Sequence, residues 1–321
     1  MLALTQSTSP PGRSARIVPL ALIAAAIVLL VLAARWTTPA FATVDNAFVI
    51  VRAASITGIV AIGMSFVTIS GNLFALSASQ LAALLAVIFA LATQALGFAG
   101  GAAATLAIAA AAGIAQGLAI TVIGNPIVTT LAFGAVFRGL ASLVSGNGIV
   151  RIDSAAASWF GTARPLGIPT QSWAFAAIAL CGWFLIRRAR IGRLLVLSGA
   201  NRAAAIASGL SVGAATVAAM TLLCLGSAIV AIFTVAQFAQ AKADLFTGTD
   251  FDYIAAVLVG GIALRGGQGS PLQAAFGAVL IALLQNFMLL NGLSAGVRMT
   301  IVGGLVVVAT CAFHLLQGRA R

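Results

Sequence analysis

The 321-residue chain is 62% hydrophobic and 7% charged, with a formal net charge of +12. Soluble domains carry about a quarter charged residues, so this composition excludes one and demands an integral membrane protein. The arginine excess does not signal nucleic acid, because the basic residues are scattered between apolar runs instead of forming a basic domain with interleaved aromatics.

Residues 1–16 are polar and proline-bearing and read as a cytoplasmic N-terminal tail. Residues 17–34 follow with no charge. A cleaved signal peptide would have a shorter apolar core and a small-residue cleavage site soon after it, so this stretch reads as a retained first helix. At about 20 apolar residues per span, helices are predicted at 17–34, 47–70, 74–93, 97–122, 126–144, 172–186, 212–237, 253–264, 271–291 and 298–316. The expected fold is an all-α polytopic bundle of ten segments, some short or broken. The membrane-spanning body would cover 17–316, with a cytoplasmic tail at 317–321.

Charge sets the orientation. Arg187, Arg188, Arg190, Arg193 and Arg202 fall in the connection 187–211, which contains no acid. Loops rich in arginine stay cytoplasmic, so this loop is expected inside, together with both termini. The same count puts 35–46, 145–171 and 238–252 outside, and with them all five acids, Asp45, Asp153, Asp244, Asp250 and Asp252. Trp36, Trp159, Trp173 and Trp183 lie near predicted span ends, where interfacial anchors belong. The spans are rich in alanine and glycine, as in 97–112 and at Gly113 and Gly117, which lets helices approach closely in lipid.

Three places interrupt the apolar pattern: Ser70-Gly-Asn72, Gly124-Asn-Pro126, and Gly260-Gly261 through Pro271. Irregular backbone at membrane depth persists only where protein buries it or a cavity solvates it, which is how transport pathways are built. Gly124-Asn-Pro126 reads more simply as an interhelical turn. The glycine-rich 265–270 segment lacks the lysine of a phosphate loop; the only lysine, Lys242, follows an alanine. Catalysis is poorly provided for, with one histidine, His314, in the last apolar run and no acid expected inside the bilayer. Cys181, Cys224 and Cys311 lie in apolar stretches without paired spacing and read as buried thiols. No cofactor or metal site is expected.

Within the arginine-rich loop, Ala203, Ile206, Ala207 and Leu210 have the spacing of a short helix, with Asn201 a suitable N-cap and Gly209 a suitable stop. Such a helix fits either a groove on another protein or the membrane surface. Here the residues carry a resemblance. The stretch Ile191–Val212 resembles the coupling loop of ribose-type ABC importer permeases. Further similarities are Gly63-Met-Ser-Phe-Val-Thr-Ile-Ser-Gly71, the run Asn125–Gly139, and Gly248-Thr-Asp-Phe-Asp-Tyr through Gly266-Gly-Gln-Gly-Ser-Pro271. Four motifs in the family's order cover about residues 50–315.

The resemblance implies a sugar-importing permease subunit in a bacterial inner membrane, working by alternating access. Its partners would be two cytoplasmic ATPase subunits or a fused tandem ATPase, a second permease and a periplasmic substrate-binding protein. Gly199, Asn201, Ala204, Ala207 and Gly209 would dock the ATPase. Asp250 and Asp252 would face the binding protein or a gate, unless they are solvated loop charges. Asn72, Gln80, Gln116, Gln237 and Phe238 are candidates to line the path, since a polar amide in a span costs least facing a cavity or another helix. One departure stands out. After Ile-Ser-Gly the family usually has Gly-Ile-Asp-Leu-Ser-Val-Gly, whereas here Asn72-Leu-Phe-Ala-Leu-Ser-Ala-Ser79 lacks the acid. The break is then expected to rely on Asn72, Ser77, Ser79 and Gln80. A branched-chain amino-acid permease and, less readily, an intramembrane enzyme are the alternatives.

Overall fold

The computed structural model describes Phe41 and residues 43–318, with side chains as far as Val308. The tail 1–16, the span at 17–34, Trp36, the side chains of Cys311 and His314, and residues 319–321 fall outside that description. The described chain is almost wholly helical: α1 (Val44–Ile69), α2 (Ala78–Ile123), α3 (Pro126–Ser145), α4 (Ala155–Thr162), α5 (Thr170–Arg188), α6 (Arg190–Ala200), α7 (Arg202–Ala207), α8 (Val212–Phe238), α9 (Asp250–Val259), α10 (Pro271–Leu290) and α11 (Ala295–Gly318). Two-residue strands, β1 (Val150–Arg151) and β2 (Gln240–Ala241), pair antiparallel and tie the α3–α4 connection to the end of α8.

Local chemistry explains the boundaries. Asn125 accepts from the Val128 N–H at 3.2 Å with Pro126 at the first helical position, and Gly146 closes α3 with φ of 60°. Ser270 with Pro271 opens α10 the same way. Straight, α2 would run about 69 Å, more than twice a bilayer's hydrocarbon thickness. Gly97 breaks it, with φ 74° and ψ 175°. The two halves then fold back on each other: Phe89 and Phe98 meet edge to face at 6.0 Å, and Ser77, just before α2, bonds Gln116 deep in its second half.

The core is built from α1, the α2 hairpin, α8 and α9, with side chains such as Ile59, Met64, Leu85, Phe89 and Leu223 fully buried. Small residues set the spacing. A Cβ on Gly113 or Gly117 would lie 2.5 Å from the Cα of Thr221 or Val217, so α2 and α8 touch backbone to backbone there. Asn46 on α1 and Asn286 on α10 exchange hydrogen bonds of 2.9 and 2.8 Å inside the bundle. Val128, Leu131, Val136 and Leu143 on α3 and Leu180 and Phe184 on α5 point outward, as lipid-facing residues do.

Several expectations are corrected. Five described helices, α1, α2, α3, α8 and α10, are long and apolar enough to cross a membrane; the α4–α5 pair, bent by 80°, makes a sixth. This does not establish ten spans, partly because the two halves of α2 count once and α9 has only 10 residues. The short span expected at 253–264 instead begins at Asp250 and ends at Val259, because Gly260 and Gly261 turn the chain and Gly261 adopts φ of 84°. Asp250 is thereby moved from an outside loop to a buried helix start. The 145–171 connection contains α4, and the 187–211 loop contains α6 as well as α7. Cys181 is exposed, not buried.

Candidate functional site

The region where α1 ends and α2 begins carries the densest polar network. α1 stops at Ser70, and Gly71 and Leu73 take left-handed φ values of 85° and 56°. For a leucine that conformation is strained. It is held by Thr68, whose hydroxyl donates to the Leu73 carbonyl at 2.8 Å. The irregular stretch up to Ser77 finds partners on other elements. The Leu76 N–H donates to Thr130 on α3 at 3.1 Å, and the Ala75 N–H reaches the Met64 sulfur at 3.3 Å. Asn72 is buried and donates to Ser70 at 2.8 Å and to Thr216 on α8 at 3.1 Å. Ser77 donates to Gln116 at 2.6 Å, and Gln116 contacts the Cys224 sulfur at 3.5 Å. Irregular backbone inside a bundle requires this kind of satisfaction.

The start of α2 is closed by an acid from far along the chain. The Ser79 N–H donates to Asp250 Oδ1 at 2.9 Å, the Ser79 hydroxyl donates to Oδ2, and Gln80 Nε2 donates to Oδ2 at 3.2 Å. Asp250 also begins α9, so one carboxylate sits at two helix N-termini, where the backbone dipoles favour negative charge. Gln80 Oε1 is buried without a partner among the described residues. Asn72, Ser77, Ser79 and Gln80, expected to serve the break, all take part in this network, whereas their partners Thr216 and Asp250 were not foreseen in that role. The missing acid after Gly71 was the one signal that another group must serve the break.

A second junction lies under the end of α1. The Gly267 N–H donates to the Ile69 carbonyl at 2.8 Å. A Cβ on Gly199, near the end of α6, would run into that carbonyl, and one on Gly266 would lie 2.7 Å from the Gly71 Cα. Three backbones thus meet with no side chains between them. Gly199 is a packing position in this junction. The other residues of the proposed docking set differ: Asn201, Ala204, Ala207 and Gly209 are exposed on or beside α7. Asn201 accepts from the Ala204 N–H at 3.0 Å, Gly209 ends the turn with φ of 73°, and Ala205 alone of α7 is buried.

Of the five path candidates, the structure brings Asn72, Gln80 and Gln116 to the α1–α2 break. Gln237 and Phe238 lie at the other end of α8, where Gln237 accepts from Gln171 at 3.5 Å and Phe238 is exposed. Asp252 points away from Asp250's network and accepts from Gln285 on α10 at 2.8 Å. Among the described residues no three His, Cys, Asp or Glu side chains cluster to hold a metal.

Relatives match this chain in sequence over most of its length. The ribose import permease protein of Escherichia coli is 30% identical over 294 residues, covering 88% of this chain and 90% of its own. That of Haemophilus influenzae is 28% identical over 91% of this chain and 92% of its own. The L-arabinose transport system permease protein of Escherichia coli is 29% identical over 88% of this chain and 86% of its own. No solved structure matches. With residues 46–310 matching the family model described as the permease component of branched-chain amino acid transport systems, the chain belongs to that permease family.

Proposed function

We propose that this chain is the membrane-spanning permease subunit of an ATP-driven importer for a sugar or sugar-like solute. It forms the translocation path by alternating access, in a bacterial inner membrane with both termini cytoplasmic. The observation that carries the reading is the exposed, small-residue helix α7, which follows α6 directly from the glycine junction at the α1–α2 and 260–270 breaks. A partner pressing on α7 therefore acts close to the places where the helices are interrupted. The ATP is hydrolysed in that partner, two ATPase subunits or one tandem ATPase. A second permease completes the path, and a periplasmic binding protein delivers the solute. The ribose and arabinose names of the relatives support a sugar over an amino acid.

The test is uptake into proteoliposomes containing the chain with an ATPase and a periplasmic binding protein that assemble with it, using labelled pentoses and labelled leucine. ATP-dependent pentose uptake supports the reading. Uptake of leucine alone would assign it to amino acids, and turnover of ATP or solute by the purified single chain would overturn it.

A further inference from the structure

A cavity of about 290 Å³ opens between α1, α9, α10 and α11, separate from the Asp250 network. Its size is near the lower end of the ~300–1,000 Å³ usual for small-molecule sites. Asp252, Gln285, Arg298 and Thr57 give its wall polar groups, and Phe251 adds an aromatic ring; the Thr249 hydroxyl, also on the wall, is already bonded to the Phe246 carbonyl at 2.9 Å. Two of these groups are oriented but incompletely used. Gln285 donates to Asp252 Oδ1 at 2.8 Å, which fixes the carboxylate and leaves Oδ2 without a hydrogen bond among the described residues. The Arg298 guanidinium makes no hydrogen bond among the described residues, and Arg298 makes no direct ion pair with Asp252. A guanidinium that lines a cavity without a protein acceptor keeps its outer N–H groups for a ligand.

We propose that this cavity binds a neutral polyhydroxylated solute, with Asp252 accepting from one hydroxyl and Arg298 donating to another. The chemistry follows from the donor and acceptor inventory. A hydroxyl both gives and takes a hydrogen bond, so adjacent hydroxyls on one molecule satisfy a carboxylate and a guanidinium in the same small space. Thr57 adds a further hydroxyl to the wall, and Phe251 adds an aromatic ring that suits the C–H side of a sugar. A single anion would meet Asp252 and a single cation would meet Arg298, each repelled at one end. A zwitterion is the competing occupant, and leucine stands for it in the experiment.

The inference rests on the sugar-importer reading, and the experiment separates the two. Uptake by the reconstituted importer is measured for ribose, arabinose, xylitol and leucine with wild type, Asp252→Asn and Arg298→Gln. If wild type takes up none of the three polyhydroxylated probes, the importer reading itself fails. If it does, each variant is expected to lower uptake at least tenfold while the complex assembles and its ATP hydrolysis persists. Wild-type uptake by both variants overturns the cavity assignment alone, as does loss confined to leucine. A second measurement does not depend on those variants being folded. With the three native cysteines replaced by alanine, Thr247→Cys on the cavity wall is labelled with a maleimide; ribose or arabinose is expected to slow labelling, leucine not. Equal labelling with and without the sugar that the importer transports also overturns the assignment.

Discussion

Ser79 gives both its N–H and its hydroxyl to the carboxylate of Asp250, a residue 171 positions later. The start of α2 is therefore completed by α9, and the two halves of the chain are joined at a helix end. Asp250→Ala removes the acceptor and leaves the Ser79 N–H buried, a loss of about 1–3 kcal/mol. Asp250→Asn keeps one carbonyl oxygen for that N–H and offers its amide to the Ser79 hydroxyl and the free Gln80 oxygen. The expected outcome is a melting temperature in detergent lowered by several degrees for the alanine variant and little for asparagine. Equal stability of alanine and wild type would show that the acid does not hold the break.

Gly277 on α10 faces the Ala256 carbonyl of α9 so closely that a Cβ would overlap it, whereas Gly139 on α3 has nothing within 4 Å. Gly277→Ala is expected to cost about 1–3 kcal/mol through overpacking. Gly139→Ala should instead gain up to about 1 kcal/mol from helix propensity. Thermal aggregation of the two purified variants checks the opposite signs.

Ala204 and Ala207 are exposed on α7, and Ala205 is buried at 4% exposure. Ala204→Glu and Ala207→Glu are expected to leave the chain folded in the membrane yet abolish uptake, because a carboxylate has no room in a helix-binding groove. Ala205→Glu should reduce folded protein, since an unpaired buried charge costs several kcal/mol. Near-normal uptake by both exposed-site variants would remove α7 from ATPase docking.

Ser208 and Lys242 are both exposed and flank the 27-residue α8, about 40 Å long and enough to cross a bilayer once. Lys242 sits in a polar turn beside Asp244, whose carboxyl its 2.9 Å hydrogen bond holds below the usual carboxylate range. Cysteines placed singly at Ser208 and Lys242 are expected to react with an impermeant reagent from opposite sides. Reaction of both from one side would overturn the orientation drawn from the arginines.

The helical class was legible in composition, and α7 was legible in detail: Asn201 as cap and Gly209 as stop both stand as read. The α2 hairpin was visible as two apolar runs meeting at Gly97. What composition hid was the vertical position of short polar groups. Asp250 looks like a loop charge because charge in sequence averages over a segment, while burial is decided by which helix ends converge. The α6 helix was hidden for a related reason, since its arginines dominated the reading of a segment whose Leu195 and Ser198 pack inward. The Asp252 cavity draws on four separate helices, a convergence that no local pattern records.

The glycine junction has a mechanical corollary. Where side chains separate two helices, a small push can be absorbed by rotamer changes. Between Gly71, Gly199, Gly266 and Gly267 there are no side chains to absorb it. The end of α6, the end of α1 and the 265–267 turn must shift together or separate outright, so the contact behaves as a rigid joint. A larger residue at Gly199 would wedge that joint permanently open, whatever happened at α7.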